Sequence, residues 1–127
     1  EDREKIYPNL KWAAFLKDWE GPEEGQRPSA FILMLKDKSK PNSAVVQVDM
    51  GIACQSILLG AVEKGLGGCI IGAFDKSKLS EAFNIRGNLE LQLVLAIGKP
   101  DQTIVLDDRT GKHHVPKIRL KDVIIEK

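Results

Sequence analysis

Few residues in this chain combine the type and the spacing needed to do chemistry alone. Cys54 and Cys69 have no CxxC partner, which excludes a redox dithiol and a zinc site. His113 and His114 are adjacent, so they face opposite ways in a strand and diverge on a helix. They are read as exposed loop residues rather than metal ligands. Glu23 and Glu24 are loop neighbours, a poor geometry for an acid/base pair. Gly65-Leu-Gly-Gly does not open a helix after a strand, so it is no Rossmann phosphate loop. Lys117 and Arg119 alternate by two, which puts both cations on one face of an extended segment. On the residues alone the pair reads as two solvated surface cations. This scarcity fits an enzyme whose cofactor does the chemistry, with the protein supplying backbone contacts, a dry pocket and a few charges.

Any such contacts must be positioned by the stretch from Val48 to Phe74, VDMGIACQSILLGAVEKGLGGCIIGAF. It reads as a long helix, a glycine break and a short extended segment. Asp49 is the expected N-cap, since its carboxylate can accept from the free N–H groups of a first turn. Ile52, Leu58, Leu59 and Val62 repeat at helical spacing, and Ala53, Ile57 and Ala61 fill the other faces. A helix from Asp49 to Lys64 that is apolar nearly all round wants burial on more than one side, and a second subunit is a natural cover. Gly65 is placed to end it in the left-handed conformation.

Around this centre the pattern is mixed. Trp12, Phe15, Leu16 and Trp19 lie at offsets of one helical face, predicting a helix over Leu10–Trp19 with Asn9 as its cap. Gly21 to Ser29 reads as a loop. AFILML, Ala30 to Leu35, predicts a strand covered on both faces. Asp75 is placed to cap a short helix from Lys76 to Phe83, with Leu79, Ala82 and Phe83 inward. LELQLVLAI, Leu89 to Ile97, alternates as a second strand with Leu89, Leu91, Leu93 and Leu95 on one face.

The 127 residues support one domain with a modest core. A net charge of +1 gives no electrostatic case for nucleic acid or an anionic membrane. No apolar run is read as long enough to span a bilayer, and no signal-peptide pattern opens the chain. Cys54 and Cys69 are read as buried free thiols of a cytoplasmic protein. The chain opens in a charged stretch without an initiator Met, from which a preceding portion is expected.

Asp-x-Gly-x-Ala-x-Gln-x-Ile-Leu-Leu, followed by Ala-x-Glu-x-Gly-Leu-Gly-Gly-Cys, resembles the central helix of the flavin-dependent nitroreductase family. It is carried by Asp49, Gly51, Ala53, Gln55, Ile57, Leu58, Leu59, Ala61, Glu63 and Gly65 to Cys69. LKWAAFLKDWEGPEEGQRPSAFILML, ELQLVLAIGKP and HHVPKIRLKDVI resemble further segments of that family in the same order.

The resemblance implies an α+β fold: a three-layer α/β/α domain with a mainly antiparallel sheet around a long central helix. Residues 1–127 would form one nitroreductase-like domain, the C-terminal two-thirds of the full one. It implies FMN at a homodimer interface, with NAD(P)H as electron donor and a nitroaromatic, quinone or similar acceptor. By position, Ile70, Ile71, Gly72 and Ala73 match the segment whose backbone runs along the flavin ring. Gly72-Ala73 stands where the family often has Glu-Gly, so a side chain is lost while a backbone N–H toward the flavin N5 survives. Lys117 and Arg119 match the pair that reaches the cofactor phosphate. The family's Arg-rich phosphate motif and its Pro-Ser-x-x-Asn segment would precede Glu1, so these residues alone should hold flavin poorly. The competing reading is a truncated or degenerate dimerisation module that holds no flavin.

Overall fold

The computed structural model describes residues 2–12, 19–41 and 44–101. Its elements are α1 (Asp2–Ile6), a 3-10 turn Tyr7–Asn9, a second such turn Glu24–Gln26, β1 (Ala30–Asp37), α2 (Ala44–Glu63), β2 (Gly67–Ile71), α3 (Lys76–Ala82) and β3 (Leu89–Gly98). The fold is the mixed helix and antiparallel sheet expected. β3 lies in the middle of a three-stranded sheet of order β1-β3-β2, antiparallel to both neighbours.

The sheet is covered by helices on its two faces. A Cβ at Gly68 would meet Leu58 Cδ2 at 2.8 Å, so α2 lies on the face to which Gly68 belongs. Ile70 shares that face by alternation, together with its cross-strand partner Leu95. Ile71 points the other way, with its partner Val94, into a buried cluster with Ile6 of α1, Leu79 of α3, Leu10, Leu91 and Ala96.

Register explains one departure from the sequence pattern. Met34 pairs with Leu93 and Leu35 with Leu91, so Gln92 is an extra residue on β3. The bulge resets the alternation. Leu91 and Val94 therefore share one buried cluster, and the four leucines do not form a single face. β1 runs two residues beyond the expected Leu35 and is only partly buried, not covered on both faces, because it is an edge strand.

α2 begins at Ala44, so Asp49 is an exposed residue inside the helix and not its cap. No Pro or Gly separates Ala44 from Asp49, and the helix simply extends back through Val45, Val46 and Val48. At 20 residues, α2 is long and apolar enough to cross a membrane by length and composition alone, which corrects the expectation from the shorter helix. In the fold it packs on β2 and β3. Its end follows the pattern foreseen for Gly65: φ is 72°, Gly65 N–H donates to Val62 O, and Leu66 N–H donates back to Ala61 O at 2.9 Å.

The N-terminal region also differs. EDREKI forms α1, and Asn9 closes that turn, its Nδ2 donating to Lys5 O at 2.8 Å. Asn9 therefore caps no following helix. Leu10 is extended, with φ −94° and ψ 143°, and bridges to Phe74. Residues 13–18, the rest of the expected helix, lie outside the described residues. The 21–29 loop contains the short turn Glu24–Gln26. Asp75 caps α3 as expected, its Oδ1 accepting from Lys78 N–H at 3.0 Å, and Leu79 is fully buried.

Candidate functional site

Helix α2 and strand β2 form one unit whose end presents Ile70 to Ala73. Gly65 reverses the chain after α2, and the glycines at 67 and 68 let β2 run directly beneath it. Gly68 is the tight point: an added Cβ would stand 2.6 Å from Ala96 O as well as against Leu58. Ile71 is buried in the core and anchors the end of the strand. Ile70 is 43% exposed on the α2 face. The ladder with β3 ends at Ile71–Val94, so Gly72 and Ala73 lie beyond it as exposed backbone.

This end of the strand is open. A Cβ at Gly72 would meet nothing closer than Leu93 Cδ2 at 3.9 Å, so the backbone there can be approached directly. The segment is also held from behind. Lys11 N–H donates to Ala73 O at 2.9 Å, Asp75 N–H donates to Asn9 O at 2.8 Å, and Leu10 bridges Phe74 between them. Sequence periodicity had no signal for this second support, because Asn9 to Lys11 carry no strand alternation.

Of the residues singled out by sequence, the structure brings Ile70, Ile71, Gly72 and Ala73 into one continuous strand end. Lys117 and Arg119 lie outside the described residues, as do His113 and His114. Cys54 is buried, and desolvation pushes its thiol pKa up. Cys69 is exposed instead of buried: the cluster that covers Ile71 on the same face of β2 does not extend over it among the described residues. Among the described residues no group of three His, Cys, Asp or Glu is placed to hold a metal ion.

A separate cavity of about 200 Å³ lies between α1 and the start of β1. Arg3, Glu4, Tyr7, Glu24, Arg27 and Phe31 line it. It does not include the Ile70–Ala73 segment.

Residues 4–99 match the model of the nitroreductase family. The chain belongs to the nitroreductase family. Solved structures agree with this. A nitroreductase family protein from Clostridium novyi NT is 25% identical, with a TM-score of 0.61 over 77% of this chain and 56% of its own. An NADH oxidase, provisionally so named, from Clostridium acetobutylicum is 27% identical, with a TM-score of 0.60 over 100% of this chain and 72% of its own. An FMN-dependent nitroreductase from Clostridium difficile R20291, 24% identical, shares the fold with a TM-score of 0.60 over 84% and 64%. This nitroreductase family chain thus spans 56% and 64% of the first two solved relatives it matches.

Proposed function

We propose that this chain is the flavin-facing, C-terminal two-thirds of an FMN-dependent oxidoreductase domain. The observation that carries the reading is the open backbone at Gly72–Ala73, at the end of the helix–strand unit inside the family match. The backbone of Ile70 and Ile71 would run along the flavin ring, with the Ile71 side chain anchored in the core, and the Gly72–Ala73 backbone would face its N5 region. Lys117 and Arg119 would hold the phosphate, for which a pair of cations is suited. When bound, the flavin supplies hydride transfer at N5, from NAD(P)H to a nitroaromatic, quinone or similar small acceptor. The chain's part is to hold the ring, keep its backbone dipoles fixed and exclude water.

The working form is a cytoplasmic homodimer joined through α2. Val45, Val48, Ile52, Leu59 and Val62 are each about three-fifths exposed and recur at helical spacing along it. A second copy covers this stripe and brings a second chain to each flavin site. Ile57 and Leu58, also expected among the buried positions, are half-buried within one chain, with Leu58 turned toward Gly68 of β2.

The test is fluorescence titration of FMN into the apoprotein in its complete natural form. Lys117→Ala or Arg119→Ala should weaken binding by about one to two orders of magnitude, given 1.5–3 kcal/mol for a hydrogen bond to a charged group. Lys121→Ala should leave it unchanged. Equal affinity in all of them makes Lys117 and Arg119 ordinary solvated cations. A wild type that stays colourless with added FMN favours a dimerisation module without flavin.

A further inference from the structure

Around the Asn9–Lys11 segment that pairs with Ala73 to Asp75, two aromatic side chains and one cation from distant parts of the chain come together. The Tyr7 hydroxyl donates to Pro22 O at 2.5 Å. The Tyr7 ring lies 5.4 Å from the Trp12 ring, tilted by 36°. The Arg27 guanidinium stands 4.0 Å over the other partner's ring, that of Tyr7, in cation–π contact. Trp12 Nε1 is buried and finds no hydrogen-bond partner among the described residues, so its ring is held there by packing.

Gly21 sets the tolerance of this cluster. Its φ of 109° belongs to glycine. A Cβ there would stand 2.5 Å from Trp12 Cδ1 and 2.8 Å from Tyr7 Oη. The cluster thus ties the Gly21–Arg27 loop to both ends of the segment Tyr7–Trp12. Between Tyr7 and Trp12 lie Asn9, Leu10 and Lys11, the three residues that pair with Ala73 to Asp75.

We infer that Tyr7, Trp12 and Arg27 are positioning residues for the Gly72–Ala73 backbone. They form a clasp that fixes the strut behind the strand end and so sets the orientation of the Ala73 peptide. The cofactor half of this inference rests on the flavin reading above. The mechanical half, coupling of the clasp to Ala73, does not. Peptide dipoles fixed beside the flavin bias its redox potential, and they can do so only if the peptide plane is held.

The experiment uses the complete natural protein as wild type, Tyr7→Phe, Gly21→Ala and, as a control, Gly87→Ala, where a Cβ meets nothing within 4 Å. Amide hydrogen exchange is read at Lys11 and Asp75 and compared with β3. In Tyr7→Phe, exchange at both amides should quicken by about three- to tenfold, the worth of one hydrogen bond, with β3 unchanged. Gly21→Ala should exceed this, and Gly87→Ala should match wild type. With FMN loaded, Tyr7→Phe should shift the flavin midpoint potential and its visible circular dichroism, a change that general loss of stability would not produce. Unchanged exchange at Lys11 and Asp75, or faster exchange spread evenly over β3, overturns the inference. Faster local exchange with an unchanged potential overturns its cofactor half. A wild type that takes up no FMN defeats the proposed function and the cofactor half with it, while the exchange data still decide the coupling.

Discussion

Asp75 shows how one side chain can serve both a helix and the strand end beside it. Its carboxylate accepts from Lys78 N–H and lies 3.5 Å from Lys78 Nζ, while its own N–H is bonded to Asn9 O. The backbone hydrogen bond from Lys78, with a smaller contribution from that residue's charge, holds the carboxyl below its ordinary value of 3.8. A folded-state pKa below the unfolded one means the cap stabilises fully above the ordinary carboxylate range. That stability is lost as pH falls through the lowered folded value. Asp75→Ala should therefore lower the thermal midpoint at neutral pH, and the gap from wild type should close as the pH falls below the ordinary carboxylate range. Asp75→Asn should keep most of the neutral-pH stability, since Asn caps nearly as well. Thermal melts across pH check both. This cap was legible in the sequence because capping is local: the Asp, the turn and the following helix lie within four residues. Asn9 was misread for the complementary reason. Its cap-like type fits either end of a helix, and only the fold shows that it closes the one before it.

At the scale of elements, the contact between α2 and β2 turns on Gly68. A Cβ at that position stands inside contact distance of both Ala96 O and Leu58 Cδ2, and the first of these is backbone that cannot rotate away. Gly68→Ala should cost about 1–3 kcal/mol, the usual range for forcing extra volume into a packed site. Gly60→Ala, where a Cβ meets nothing within 4 Å, should be neutral or slightly stabilising. Urea unfolding of the two variants separates them. The strands β1, β2 and β3 and the helices α2 and α3 could all be read from periodicity and turn residues. What could not be read were features set by other elements. The bulge at Gln92 depends on the register against Met34 and Leu35, and the exposure of Cys69 depends on how far the neighbouring cluster reaches along β2. Neither fact is contained in the segment's own residues.

At the scale of the molecule, α2 supplies most of the exposed large apolar side chains among the described residues. Burying each large side chain contributes roughly 1.5–3 kcal/mol, and several together exceed the cost of association. Leu59→Glu, at a residue 62% exposed in one chain, should weaken a dimer by about 10- to 100-fold or more. The single chain should stay folded. Sedimentation velocity over a micromolar concentration range checks this, and a wild type that is monomeric and folded throughout would sink the dimer. The site was legible in a different way from the fold. Ile70 to Ala73 carry no reactive side chain, so periodicity marks them only as strand and turn, and a likeness to a known family was needed to attach a ligand. The clasp behind them was invisible, because Tyr7, Trp12 and Arg27 meet through a loop whose path no local pattern dictates.

The strand order has a consequence for how the chain is made. β1 and β2 leave the ribosome before β3, yet they do not pair with each other; the place between them belongs to β3, the last of the described strands. Until residue 98 has emerged, β1 and β2 have no central strand to pair with, and the three-stranded sheet on which α2 packs is not formed. A nascent chain stalled before Leu89 should therefore be protease-sensitive and a ready client for a holdase. One released after Gly98 has the central strand on which the other two can close.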